Sequence, residues 1–374
     1  MNSGRKLKVL HLTSHLDVGG ITRYTLLLGS TMAARGHSVE VLSAGGNMKD
    51  FFGRAGIRTH DFPVRKKNIL DPSLYSSFPG ITRLIREEKY DILHAHTRVT
   101  QALAFFLGKK TKTPVVTTCH GFFKYNAGRR FFPFWGDRTV AISAPVAKHL
   151  ESLHRVPASN IRIISNAIDL EECARAVSQW KPEEVRARYG VPPGAIVLTS
   201  VGRLVQDKGN EIFLRAAAQI LPVYPEIFLL IVGDGREREN LEKLIRELGL
   251  SARAKILPGV QDTSPVLAAT DIFVHPAFYR EGFGLGIAEA MAFGKPVVIT
   301  NIPAVNQIFR PGECSVMAEP ADVSSLAGAI RFLLEAPGEK NRIAEEGRKL
   351  VRSMCSPARL ADETEAVYRE LVNA

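Results

Sequence analysis

The 374-residue chain is poor in cysteine: Cys119, Cys173, Cys314 and Cys355 lie far apart with no Cys-x-x-Cys pair. That spacing argues against both a disulfide framework and a cysteine-held zinc site, and it fits a reducing, cytoplasmic setting. Long apolar runs are also missing. The longest, such as Ile227–Val232 and Ala102–Leu107, fall far below the ~20 residues of a membrane-spanning helix. The basic start of the chain leads straight into a strand pattern without a signal-type apolar stretch, so no export is expected. No Asp-x-Asp pair occurs, which removes a common way of holding a metal on a phosphate. A Gly-x-Gly-x-x-Gly turn is absent where it would be sought, after the first strand, so no dinucleotide fingerprint is expected.

What is present is an ordinary globular composition, 45% hydrophobic and 23% charged, which excludes disorder and low-complexity readings. The net charge of +11 is unevenly placed. Through Gly190 there are 29 Lys and Arg against 15 Asp and Glu, a net of +14, and the remainder carries −3. A cationic half can meet nucleic acid, an anionic membrane or anionic substrates, and charge alone does not choose among them.

From Leu7 to Leu153, short Val/Ile/Leu-rich runs alternate with amphipathic stretches, which predicts a parallel sheet covered by helices on both faces. The alternation weakens around Ile161–Trp180 and resumes from Ala195 to Thr300. The last three helical stretches, Val323–Glu335, Lys340–Ser353 and Pro357–Val372, have no strand between them. The expectation is two Rossmann-like doubly wound domains, 1–180 and 181–355, with helix 356–374 packing back toward the first. Ligands of such sheets bind beyond the carboxyl ends of the strands, so the chemistry is expected where the two domains face each other across a cleft.

After the first strand, Gly19 and Gly20 open a helix, where backbone amides could approach an anion; taken alone, such a pair reads more simply as a tight connection. The second domain holds a fuller set. Arg203 follows its first strand, and Lys208 lies five residues on, two cations suited to the two phosphates of a diphosphate. After the strand Asp271–His275 comes Glu281-Gly282-Phe283-Gly284-Leu285, a carboxylate and a flexible loop at a helix start, and Glu289 stands inside that helix. Free amides at the helix start could hold the same diphosphate, and the carboxylates could grip hydroxyls on either side of it.

Val201–Gly209, the Val-Gly-Asp-Gly of Val232–Gly235, Glu281–Leu285 and the Glu-x7-Glu spacing of Glu281 and Glu289 closely resemble the retaining glycosyltransferases of family 4. The resemblance spans nearly the whole chain and includes Gly19-Gly20, His94-Ala95-His96 and Thr118-Cys119-His120-Gly121. It implies the GT-B fold and a nucleotide diphosphate sugar as donor, UDP-linked first and GDP-linked next. It further implies a glycan or lipid-linked acceptor in envelope polysaccharide or glycolipid synthesis, and no nucleic acid partner. By that resemblance Arg203 and Lys208 bind the diphosphate, with amides of Phe283, Gly284, Leu285, Gly19 and Gly20 assisting. Glu289 accepts from the ribose hydroxyls, Glu281 with Gly282 and Phe283 holds the donor sugar, and His120 contacts that sugar beside the reacting carbon. The chain departs from the family pattern at Ser165-Asn166-Ala167 and at Pro303–Gln307.

Without an Asp-x-Asp pair, cations and helix amides must meet the leaving diphosphate, so no metal and no other cofactor are expected. Two other readings of the same motifs are a sugar-nucleotide epimerase and a non-catalytic sugar-nucleotide-binding subunit. His94 and His96, two apart on a strand, read as polar cleft or core residues rather than metal ligands. Gly121–Arg138 interleaves Phe122, Phe123, Tyr125, Phe131, Phe132, Phe134 and Trp135 with Lys124, Arg129, Arg130 and Arg138. With Arg65-Lys66-Lys67 it suits peripheral contact with an anionic membrane, and equally a partly buried active-site loop.

Overall fold

The computed structural model describes residues 4–66, 69, 71–123 and 127–373. It divides into two compact units, 1–167 with 357–374, and 168–356. In the first, seven strands form one parallel sheet: β1 (Lys8–Leu12), β2 (Ser38–Ser43), β3 (Arg58–Asp61), β4 (Ile92–Ala95), β5 (Val115–Cys119), β6 (Arg138–Ala141) and β7 (Ile161–Ile163). Their order is β3-β2-β1-β4-β5-β6-β7, so the strand sequence reverses between β1 and β4. In the second unit β8 (Ile196–Val201), β9 (Ile227–Val232), β10 (Ala254–Leu257), β11 (Ile272–His275), β12 (Val297–Thr300) and β13 (Val316–Ala318) lie in the order β10-β9-β8-β11-β12-β13, reversing between β8 and β11. Those reversals open the crevices in which doubly wound sheets take ligands.

Central strands such as β4, β5, β9, β11 and β12 are buried along their whole length, as both-face coverage requires. Helix entries carry their own signals. Thr97 and Thr100 form a capping box at Arg98–Thr111, and Ser143 caps Ala144–His154. The segment from Pro72 to Glu88 forms two helices, Pro72–Tyr75 and Phe78–Glu88, rather than one. Pro79 lacks an amide hydrogen, so it cannot continue a helix but starts one well. The three-residue strands β7 and β13 escape the periodicity reading because so short a run has none.

The helix Leu170–Gln179 packs against helices Ser264–Ala269 and Leu285–Ala292, so the second unit begins at Ile168 rather than at Lys181. The helix Pro357–Val372 belongs to the first unit, where it packs on Gly20–Ala34. Leu360, Ala361, Val367 and Tyr368 join Tyr24, Leu28 and Met32 in one core. Arg35 donates to Asp362 at 2.6 Å across the edge of that contact.

Candidate active site

In the second unit the residues gather at the carboxyl ends of β8 and β11. Arg203 follows β8, is exposed, and has no hydrogen bond or ion pair from its guanidinium among the described residues. A 3-10 turn, Gln206–Lys208, then brings the chain to Gly209, whose φ of +67° is left-handed; a Cβ there would stand 2.0 Å from the Pro276 carbonyl oxygen. Only glycine lets this loop press onto the chain after β11, where the Phe278 amide donates to the Asp207 carbonyl at 3.1 Å. The approach delivers Lys208 Nζ to Glu281 Oε2 as an ion pair.

Glu281 is largely buried, its side chain 14% exposed. His275 Nε2 lies 3.3 Å from the same Oε2, and the Gly282 amide donates to Oε1 at 3.2 Å. Burial disfavours the charged carboxylate, but the Lys208 charge and the neighbouring His275 outweigh it and hold the carboxyl well below its usual range. His275 is fully enclosed, and burial lowers it despite the pull of Glu281. Phe283 is buried against Phe309, Gly284 caps the helix Leu285–Ala292, and the first intrahelical bonds reach only Ile287 and Ala288. The amides of Leu285 and Gly286 therefore have no intrahelical acceptor. Glu289 stands apart from the Lys208 cluster in its bonding: its Oε2 accepts from Thr263 Oγ1 at 2.9 Å. An anion could thus be met by Arg203 and the helix amides, with carboxylates of two different settings beside it.

The Val-Gly-Asp-Gly motif is structural. A Cβ on Gly233 would stand 1.8 Å from the Gly202 carbonyl oxygen. The Leu204 amide donates to the Asp234 carbonyl at 2.9 Å, and Asp234 Oδ2 accepts from the Gly259 amide at 2.9 Å. The motif stitches the Arg203 loop to the loops after β9 and β10.

In the first unit Gly19 and Gly20 are exposed at the start of the helix that follows β1, with Gly19 in extended backbone. His120 follows β5 and keeps part of its surface exposed; burial pushes it down to about 3, so its ring is neutral. His96 Nδ1 lies 3.1 Å from His120 Nε2. His94 is fully buried and uses both ring nitrogens, one with Tyr368 Oη at 2.6 Å and the other with Thr118 Oγ1 at 2.7 Å. His11, His94 and His96 are the one group of potential metal ligands among the described residues, with nitrogens within 4.8 Å of each other; both nitrogens of His94 already have hydrogen-bond partners.

In the aromatic and cationic segment, Lys124 and Tyr125 lie outside the described residues, as does Lys67. Arg129 is buried and stacks on Phe123 at 3.9 Å, while Arg98 donates to the Pro133 carbonyl at 2.7 Å. Phe131 and Phe132 are exposed, at 70% and 50%. Part of the segment is therefore packed loop and part is open surface.

Sequence reasoning did not single out His275, Thr263 or Tyr368. The only signal for His275 was its place at the end of a buried strand, directly before the Glu281 loop.

Two Rossmann-like parallel sheets, with charged and glycine-rich loops gathered at their switch points, define a GT-B type glycosyltransferase. Residues 181–350 match the family described as glycosyl transferases group 1, and 18–172 match glycosyltransferase family 4. The chain belongs to glycosyltransferase family 4. It is 29% identical over 362 residues to the lipopolysaccharide core biosynthesis glycosyltransferase LpsE of Rhizobium meliloti, covering 95% of this chain and 97% of that one. It is 26% identical to an Escherichia coli UDP-Gal:alpha-D-GlcNAc-diphosphoundecaprenol alpha-1,3-galactosyltransferase, covering 87% of each. Among solved structures, Anabaena HepE in complex with UDP and glucose superimposes with a TM-score of 0.85 at 21% identity, covering 97% of this chain and all of that one. A Rickettsia africae glycosyltransferase gives 0.86 at 20% identity, covering 98% and 99%. No helix among the described residues is long and apolar enough to cross a membrane.

Proposed function

We propose that this glycosyltransferase is a retaining, metal-independent enzyme that moves a hexosyl group from a nucleotide diphosphate sugar to a glycan or lipid-linked acceptor in envelope polysaccharide or glycolipid synthesis. UDP is the first expectation for the nucleotide and GDP the second. The observation that carries the reading is Lys208 paired with a buried, ionised Glu281 directly before a helix start whose amides lack intrahelical acceptors, near an unpaired Arg203. In this reading Arg203, Lys208 and the amides from Phe283 to Leu285 take the diphosphate, assisted by those of Gly19 and Gly20. Glu289 takes the ribose hydroxyls. Glu281, with Gly282 and Phe283, and His120 are assigned to the donor sugar.

The chemistry follows from charge. Breaking the bond between the anomeric carbon and the phosphate oxygen leaves a diphosphate anion and an oxocarbenium-like centre. Donors already oriented toward that anion stabilise the transition state by ~3–4 kcal/mol each. The acceptor hydroxyl forms the new bond from the same face, and its proton passes to the departing phosphate oxygen. Glu281 then positions the sugar and is no nucleophile, consistent with its engagement by Lys208 and His275.

Phe131 and Phe132, with Arg130, are assigned to peripheral contact with an anionic membrane bearing the acceptor; the enzyme is placed on the cytoplasmic face. The test is a mass-spectrometric screen of nucleotide sugars, each with and without acceptors. Transfer with retention of anomeric configuration is expected. Release of an epimerised sugar from donor alone, or donor binding without transfer across a broad acceptor panel, refutes the assignment.

A further inference from the structure

Three imidazoles form one row in the first unit. His11 comes from β1, His96 follows β4 and His120 follows β5. His11 Nδ1 lies 2.8 Å from His96 Nε2, and His96 Nδ1 lies 3.1 Å from His120 Nε2. His11 and His96 are buried, and the Tyr24 ring stands edge-on to His120 at 4.8 Å and to His96 at 5.7 Å between centroids. Burial holds His11 down to about 3 and His96 well below its ordinary value, as it does His120, so all three rings are neutral.

A neutral imidazole has one N–H, so the row has two self-consistent settings. In the first, every hydrogen sits on Nδ1. His11 then donates to His96, His96 donates to His120, and the Nδ1–H of His120 remains for a ligand. In the second, every hydrogen sits on Nε2 and the bonds reverse. The row then ends at an N–H on His11 Nε2, an atom that is buried and has no hydrogen-bond partner among the described residues. A dry, unmet N–H is the rarer defect, whereas the first setting leaves only a bare lone pair there.

We propose that His11 and His96 lock His120 in its Nδ1–H form, so that His96 is a positioning residue presenting His120 as a neutral hydrogen-bond donor to a hydroxyl oxygen of the donor sugar. The identity of that oxygen rests on the functional reading above; the locked tautomer does not. A metal held by His11, His94 and His96 would have to displace one of the bonds of His94, to Tyr368 or to Thr118.

The test is long-range proton–nitrogen NMR of the full chain labelled with nitrogen-15 histidine at neutral pH, which distinguishes protonated from bare ring nitrogens. His120 is expected to show a bare Nε2 and a protonated Nδ1. In His96→Ala that single form gives way to a mixture, and kcat falls about tenfold with KM within about twofold, the scale on which outer partners of a functional imidazole act. His96→Asn places an amide N–H where Nδ1–H stood, and restores both the tautomer and most of kcat. His120 protonated on Nε2 in the unaltered chain, or a tautomer unmoved in His96→Ala, overturns the proposal; so does ligation of added Zn²⁺ by His11 or His96. Should His96→Ala not fold, the unaltered chain decides alone. The NMR signature needs no substrate, so a chain with the locked tautomer that transfers no sugar fails the functional reading and keeps this one.

Discussion

Lys208 and Glu281 are each other's partner: the cation assigned to the donor diphosphate is ion-paired to the carboxylate assigned to the donor sugar. Donor binding must therefore redistribute that pair, the diphosphate competing for the ammonium while sugar hydroxyls replace it on the carboxylate. The Gly282 amide, 3.2 Å from Oε1, keeps Glu281 from being left alone during the exchange.

Removing either partner is expected to abolish most activity in a protein that stays folded. In Lys208→Ala and Glu281→Ala, kcat/KM should fall about 10²–10³-fold, the scale of one oriented charge at a developing anion. The two differ in stability. Lys208→Ala leaves a mostly buried carboxylate short of a partner and should cost about 1–3 kcal/mol more than Glu281→Ala. Steady-state kinetics with urea unfolding checks both, and near-normal turnover in either variant would refute the site.

Glu289 accepts from Thr263 and is assigned to the ribose hydroxyls, so its variants should act on donor binding. Glu289→Ala is expected to raise the donor KM by about tenfold or more with a smaller change in kcat, and Thr263→Val to raise it by a few-fold. An effect on kcat alone would place Glu289 elsewhere in the reaction.

Saturating EDTA should leave transfer intact if, as proposed, protein cations and helix amides meet the leaving diphosphate. Activity lost on chelation and restored by Mg²⁺ or Mn²⁺ would overturn the metal-free mechanism.

Acid should destabilise the first unit before its carboxylates titrate. His11 and His120 are lowered to about 3, and His94 and His96 well below their ordinary value, all chiefly by burial. Between pH 6.5 and those folded values the unfolded chain binds protons that the folded chain refuses, so stability is full above pH 6.5 and falls as pH drops below it, by up to about 1.4 kcal/mol per pH unit for each histidine. Glu40, Glu88 and Glu365, lowered in the fold, begin to act only near pH 4.5 and below. Urea unfolding followed by circular dichroism at pH 7.5, 6.5 and 5.5 should show this slope, and a flat profile would contradict neutral buried histidines.

The exposed pair Phe131 and Phe132 should support binding to anionic vesicles at low salt, weakened by added salt and by the double change to serine. No co-sedimentation under these conditions would discard the membrane contact.

The alternation of Val/Ile/Leu-rich runs with amphipathic stretches determined both parallel sheets, because pleat and helix periods are written along the chain. The motifs Val201–Gly209 and Glu281–Leu285 likewise marked the two loops that meet at the carboxyl ends of β8 and β11, since glycines and charges at strand ends leave a local signature. The break at Pro79 was legible in principle, and the strands β7 and β13 were too short to show a period. Only the tertiary structure decided partners: Lys208 reaches Glu281 across 73 positions, His94 reaches Tyr368 across 274, and His275 and Thr263 became part of the site by packing alone. The reason is physical: propensity and periodicity act over a few residues, whereas a hydrogen bond between distant positions exists only once strand order and loop packing have set its two ends within about 3 Å of each other.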